Sequence, residues 1–192
     1  MGSIDIVAVG DSCGKTALLH AMRQTDFKIG NELEFINIPP TVFESYQVNF
    51  KSHGVYIRVN LHDTAGQENY DRLRPLAYQH SIDVVFLVFA VISPDSIKNI
   101  EAKWIPEINY HLKNVPRILV GTRSESRDDE RILAHLKKMK QMPVMQKDID
   151  VICKRHSLEY FETSAETGYG IEACLNAAKV QKIVQATEEY AN

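Results

Sequence analysis

The stretch "VGDSCGKT", residues 9–16, follows the apolar run "IDIVAV" (4–9) and leads into a helical pattern from Lys15 to Arg23. A glycine-rich turn between a strand and a helix aims backbone N–H groups and the positive helix end at an anion. In that setting Lys15 reaches outer phosphates and the Thr16 hydroxyl can ligate Mg²⁺. The usual spacing is G-x-x-x-x-G-K-[ST], whereas only Asp11, Ser12 and Cys13 separate Gly10 from Gly14, so the loop is one residue short.

Outside this loop the chain alternates short apolar runs with helical patterns, which predicts an α/β domain built on a mainly parallel sheet. Segments 43–50 and 55–61 flank the turn-like "KSHG" and form an antiparallel hairpin at one sheet edge. The run "VVFLVFAV" (84–91) is apolar on both faces, as a central strand covered by helices should be. "RILVG" (117–121) and "LEYFET" (158–163) complete a sheet of about six strands, with helices on both faces near 95–111, 129–140, 145–156 and 169–188. Ser93 caps the first of these helices with Pro94 behind it, and Pro106 is expected to kink or break it. The segment 28–38 is long and poorly periodic and reads as a mobile loop.

With 192 residues, 44% hydrophobic and 24% charged, the chain suits a single domain spanning 1–192. A net charge of -3 and no long basic run exclude nucleic-acid binding through a basic field. Cys13, Cys153 and Cys174 have no metal-ligand spacing, which fits a reducing, cytoplasmic setting. There is no membrane-length apolar run, and Ile6 stands where a myristoylation signal wants Ser or Thr. The terminal Glu-Glu-Tyr-Ala-Asn carries no prenylation box, so membrane attachment is expected only through a lipidated tail beyond residue 192, peripheral at the inner face.

A second motif, "LHDTAGQE" (61–68), ends the third predicted strand. Asp63 can hold a Mg²⁺ shell, Gly66 leaves its N–H open to a γ-phosphate oxygen, and Gln67 stands where an attacking water would be oriented.

Together with these motifs, "PTVFESY" (40–46), "DTAGQENYDRLRPLAY" (63–78), "SPDSIKNIEAKWIPEI" (93–108) and "VPRILVGT" (115–122) resemble Ras-superfamily GTPases of the Rho branch, in order and spacing. The resemblance covers nearly the whole chain and implies a P-loop small-GTPase fold. Residues 125–148, with "LKKMKQMPV", resemble the extra helix that this branch inserts. It implies a GTP/GDP switch with Mg²⁺ held by Thr16, Thr41 and Asp63, and phosphates held by Asp11, Ser12, Cys13, Gly14, Lys15, Thr16, Ala17 and Gly66. Gln67 would position the hydrolytic water, and Phe27 would pack on the guanine. Ser164 and Ala165 of "TSAE" would offer N–H groups to the base oxygen, with Glu166 beside them in place of the family's Lys. Effectors, an exchange factor and a GTPase-activating protein would dock through 38–46 and 66–78, in signalling to the actin cytoskeleton.

This sequence departs from the family at the base-reading element [NT]-K-x-D, which here is Thr122, Arg123, Ser124 and Glu125. The Glu125 carboxylate keeps the ability to accept two hydrogen bonds from guanine, with a longer reach. Arg123 keeps a charge but not an ammonium's shape. The first switch carries an insertion around 28–38, and Ile38-Pro39 replaces the tyrosine that lids the phosphates. The short loop has two alignments. Either Gly10-Asp11 matches the family's Gly-Asp and a residue is lost near Ser12, or the strand slips, Val9 replaces the first glycine and Asp11 crowds Gln67 and the γ-phosphate. His62 and Trp104 are expected to be structural, Cys13 a spacer, and 123–131 a solvated surface. No arginine finger is evident, so hydrolysis without a partner should be slow. The competing reading is a non-cycling, GTPase-like scaffold that binds proteins through the same face. An ATP-dependent P-loop enzyme conflicts with the guanine-type elements.

Overall fold

Strand β1 (Ser3–Val9) lies in the middle of a six-stranded sheet of order β2-β3-β1-β4-β5-β6. The computed structural model describes residues 3–23, 43–52, 55–67 and 70–191. Around β1 are β3 (Val55–Thr64) and β4 (Val84–Ala90), both parallel to it, and β2 (Phe43–Ser52) pairs antiparallel with β3 at the edge. On the other side follow β5 (Arg117–Thr122) and β6 (Glu159–Glu162), again parallel. The mixed sheet with its edge hairpin is the one the apolar runs predict, with each strand displaced by no more than a few residues.

Every residue of β4 is buried, because helices cover both faces. Its alternate residues separate by face: Val84, Phe86 and Val88 join the core under α1 (Lys15–Arg23) and α6 (Ile171–Ala191), while Val85, Leu87 and Phe89 join the opposite core. That second core takes Ile97 from α2 (Pro94–Asn99), Ile105 and Ile108 from α3 (Ile105–His111), and Ile149 and Ile152 from α5 (Gln146–His156). Each such aliphatic side chain contributes about 1.5–3 kcal/mol by leaving water. Between β5 and α5 lies the short helix α4 (Glu130–Lys138), capped by the Asp129 carboxylate, which accepts from the backbone N–H groups of Arg131 and Ile132.

Pro106 does not break the helix over 94–111. Between α2 and α3 the backbone forms a π-turn, Ile100–Trp104, in which the Ile105 N–H donates to the Ile100 carbonyl. Proline has no N–H and its ring collides with the carbonyl four residues back. A widened turn just ahead of it accommodates both defects without ending the helix.

Strand order reverses at β1: the chain moves outward to β3 on one side and then to β4 on the other. The loop after β1 therefore opens at the crevice outside the carboxyl ends of the strands, where ligands bind in sheets of this type.

Candidate functional site

Gly10 leaves β1 with φ +153°, and a Cβ there would lie 2.1 Å from the Val88 carbonyl oxygen, so only glycine fits. Val9 is buried in β1 opposite Leu87. Gly10 is thus the loop's first glycine, which overturns the slipped alignment and puts the missing residue between Gly10 and Cys13. Nor does Asp11 crowd the phosphate side. Its carboxylate is turned to the α2–α3 helix, where Oδ2 accepts from Asn99 Nδ2 at 2.7 Å and Oδ1 from the Trp104 indole N–H at 3.0 Å.

The short loop is tied at several further points. The Cys13 thiol donates to the Val88 carbonyl at 3.1 Å, and the Thr122 hydroxyl donates to the Cys13 carbonyl at 2.5 Å. Burial pushes the Cys13 thiol up to about 11, so it stays neutral and acts as a spacer and tether. Gly14, with φ +86°, turns the chain into α1. The buried Lys15 ammonium donates to the carbonyls of Gly10 at 2.7 Å and Asp11 at 2.9 Å. Ser12 is exposed and Ala17 half-buried on either side of this turn. The first turn of α1 holds no acidic side chain to cancel its positive end.

The Thr16 hydroxyl donates to Asp63 Oδ2 at 2.5 Å, joining the glycine loop to the end of β3, where Asp63 is buried opposite Ala8. A Cβ on Gly66 would fall 2.6 Å from the Asp11 carbonyl carbon, so the two loops touch through this glycine. Gln67, next in the chain, is exposed.

The two segments expected to read the base are bonded to each other, and the first of them also meets the glycine loop. The Thr163 N–H donates to the Gly121 carbonyl at 2.7 Å, and the Ser124 N–H to the Thr163 carbonyl at 3.1 Å. Arg123 has φ 62°, and its Nε lies 3.8 Å from where a Cβ on Gly14 would be, so the side chain runs alongside the loop. Glu125 is exposed and its Oε1 accepts from the Ser126 hydroxyl at 3.3 Å. The Ser164 N–H, expected to face the base oxygen, is engaged within its own loop. The Ser164 N–H donates to the Tyr169 carbonyl at 3.0 Å and its hydroxyl accepts from the Thr167 N–H at 3.0 Å, so Ser164 shapes the loop that presents Ala165 and the exposed Glu166.

The charged stretch 123–131 is not simply solvated. Arg127 makes a forked contact to Glu162 at 2.8 and 2.7 Å and also donates to the Val144 carbonyl at 2.6 Å. Nothing in the local sequence pairs two residues 35 positions apart. The Arg127 hydrogen bonds hold the Glu162 carboxyl below its ordinary value, against partial burial that works to raise it. A depressed carboxyl pKa stabilises the fold above the unfolded value, about 4.3, and that stabilisation is lost as pH falls through the folded value. Glu162→Gln is therefore expected to lower the stability read from urea unfolding at neutral pH by about 1 kcal/mol, and to converge on the parent as pH falls through the folded value. A deficit of equal size at neutral pH and below the folded value would show that the pair does not act through its charge.

A second unpredicted cluster lies behind Gly66. The fully buried Arg74 donates to the Ala65 carbonyl at 2.9 Å, Glu107 at 2.7 Å and Asp71 at 2.5 Å, and its guanidinium sits 4.5 Å from the Trp104 ring centroid. The Tyr78 hydroxyl donates to the other Glu107 oxygen at 2.5 Å. His62 is structural as expected: it is buried between Asp5 at 3.2 Å and Ser45 at 3.0 Å and stacks on His80. Trp104 does pack in the core, yet it is also a hydrogen-bond donor to the glycine loop.

Phe27, Thr41, Ile38-Pro39 and the expected loop 28–38 lie outside the described residues. Of the expected partner surface, Phe43, Leu73 and Leu76 are exposed apolar side chains. Among the described residues no helix is long and apolar enough to cross a membrane.

The sequence model of the Ras family matches residues 5–185. The Rho-related GTP-binding protein RhoB of Homo sapiens is 41% identical over 175 residues, covering 90% of this chain and 85% of that protein. The proteins of the same name from Mus musculus and Rattus norvegicus match to the same extent. A glycine loop clamped between β1 and β4, a Thr16–Asp63 contact beside it and the Thr122 hydroxyl bonded to its Cys13 carbonyl thus agree with the family match, and the chain belongs to the Rho family of small GTPases, the GTP-hydrolysing switch proteins of the Ras group.

Proposed function

We propose that this chain is a Mg²⁺-dependent GTP/GDP switch that hydrolyses GTP slowly by itself and passes its state to effectors, in cytoskeletal signalling. The carrying observation is the Thr16–Asp63 contact at 2.5 Å next to the Lys15 ammonium, reached from two segments 47 residues apart. A hydroxyl and a carboxylate are hard oxygen donors suited to Mg²⁺. Among the described residues no group of three or more His, Cys, Asp or Glu side chains could hold a metal. Phosphate oxygens, water and Thr41 would complete the shell of such an ion. When bound, Mg²⁺ neutralises charge at the outer phosphates.

Lys15 is positioned to exchange its loop carbonyls for phosphate oxygens, with the N–H groups at the start of α1 beside it. Glu125 accepts from the N1–H and exocyclic amino group of guanine, a donor pair that adenine lacks. Gln67, exposed beside Gly66, would orient water for in-line attack. Exchange factors and GTPase-activating proteins would act on this open side, through 38–46 and 66–78. The chain reads as one G domain over 1–192, with α4 in an insert spanning 125–148.

The nucleotide that co-purifies with the protein tests the base reading: guanine nucleotide is expected, and adenine nucleotide would overturn it. Gln67→Leu is expected to slow phosphate release about 10- to 100-fold with GTP affinity unchanged. Absence of phosphate release from the parent protein would favour the scaffold reading.

A further inference from the structure

Asp11 presents a problem that its geometry answers. It stands within a loop meant for polyanions, its carbonyl is 2.9 Å from Lys15 Nζ, and Gly66 abuts its peptide. A carboxylate there, turned inward, would oppose the terminal phosphate directly. Both its oxygens are instead taken by donors from the helix across the crevice, Asn99 at 2.7 Å and the Trp104 indole at 3.0 Å.

Two residues five apart converge on one carboxylate because of the π-turn. In an α-helix five residues span about 500°, which leaves their side chains about 140° apart. The Ile105 to Ile100 bond spans five residues, so the π-turn takes more residues per revolution and brings positions 99 and 104 towards a common face. Trp104 also links the second loop, since its ring lies under Arg74, whose Nε holds the Ala65 carbonyl beside Gly66.

We infer that Asn99 and Trp104 are positioning residues for the triphosphate site: they sequester the Asp11 carboxylate away from the terminal phosphate and so keep the shortened loop receptive to GTP. The inference rests on the nucleotide-switch reading above. It makes a charge-specific prediction, because GTP brings one more phosphate to the Gly66 side than GDP does. A merely structural role would loosen the loop for both nucleotides alike.

The test uses the full chain with Mg²⁺, GDP and a non-hydrolysable GTP analogue, with melting temperatures recorded in parallel. Trp104→Phe keeps a ring beneath Arg74 while removing the indole N–H and part of the buried ring volume, a packing loss that acts on both nucleotides alike; Asn99→Ala removes the other donor. The double variant is expected to bind the GTP analogue about tenfold more weakly, with GDP affinity changed by about threefold or less. Adding Asp11→Asn to that background is expected to return analogue affinity to within about twofold of the parent. If the double variant does not fold, Asn99→Ala alone and with Asp11→Asn gives the same comparison. Equal losses for both nucleotides, no loss, or no rescue by Asp11→Asn would each overturn the inference while the parent still binds guanine nucleotide. A parent that binds none would overturn the switch reading itself.

Discussion

Lys15→Ala is expected to weaken both GDP and GTP binding by about 10²- to 4 × 10³-fold. Lys15 is buried and donates to two loop carbonyls, so its ammonium is already desolvated and aimed at the anion site. Truncating one partner of a buried charge pair costs about 3–5 kcal/mol, because the phosphate charge is left uncompensated. Fluorescent-nucleotide titration in excess Mg²⁺ would measure it. The variant should still fold, since the lost contacts are two hydrogen bonds to carbonyls at the crevice. A loss below about tenfold would mean that the phosphates are neutralised mainly elsewhere.

The largest expected effect on stability comes from Arg74→Ala, at about 3–5 kcal/mol. The guanidinium is fully buried and shared by Glu107, Asp71 and the Ala65 carbonyl. Burial works to lower its pKa, yet the bonds to Asp71 and Glu107 hold it above its ordinary value. Burial together with the hydrogen bond to Glu107 pushes the Tyr78 hydroxyl well up, so it is a neutral donor to that carboxylate. Alanine at 74 would leave Glu107 with Tyr78 as its remaining partner in this cluster and remove the cation from the Trp104 face. Urea unfolding at neutral pH, with the midpoint and slope both recorded, checks the magnitude. Arg74→Lys should recover only part of the loss, because an ammonium cannot reach three acceptors with a planar fork. Recovery to parent stability by lysine would show that charge alone matters at this position.

The sheet was legible because its rules are local. Short apolar runs and contiguous phosphate and switch motifs each lie within a few residues, whereas the strand order, with β1 between β3 and β4, comes from the structure. What the residues did not announce are contacts between distant positions: Asp11 with Asn99 and Trp104, 88 and 93 residues away, and Arg127 with Glu162, 35 away. No window of sequence carries those pairings. Pro106 was expected to kink or break its helix, and the described backbone stays helical there while its hydrogen-bond pattern changes just ahead of the proline. The backbone had a third option, the wider turn, and that option sets the facing of Trp104. The slipped alignment of the glycine loop failed for a similar reason: spacing alone does not reveal that Gly10 is pressed against the Val88 carbonyl.

The binding of Cys13, Thr122, Thr163 and Ser124 to one another's backbone has a consequence for the life of the protein in the cell. These contacts join segments from residue 13 to residue 163, so the cradle exists only when β1, β5 and β6 have assembled in one sheet. Parallel, non-local strand pairing is slow to form and exposes apolar strands while it does. A ligand that recognises only the completed cradle stabilises the folded chain by mass action, by about 2.7 kcal/mol at a hundred times its Kd. The guanine-nucleotide pool would then govern how much of this protein survives, before it governs which state the survivors adopt.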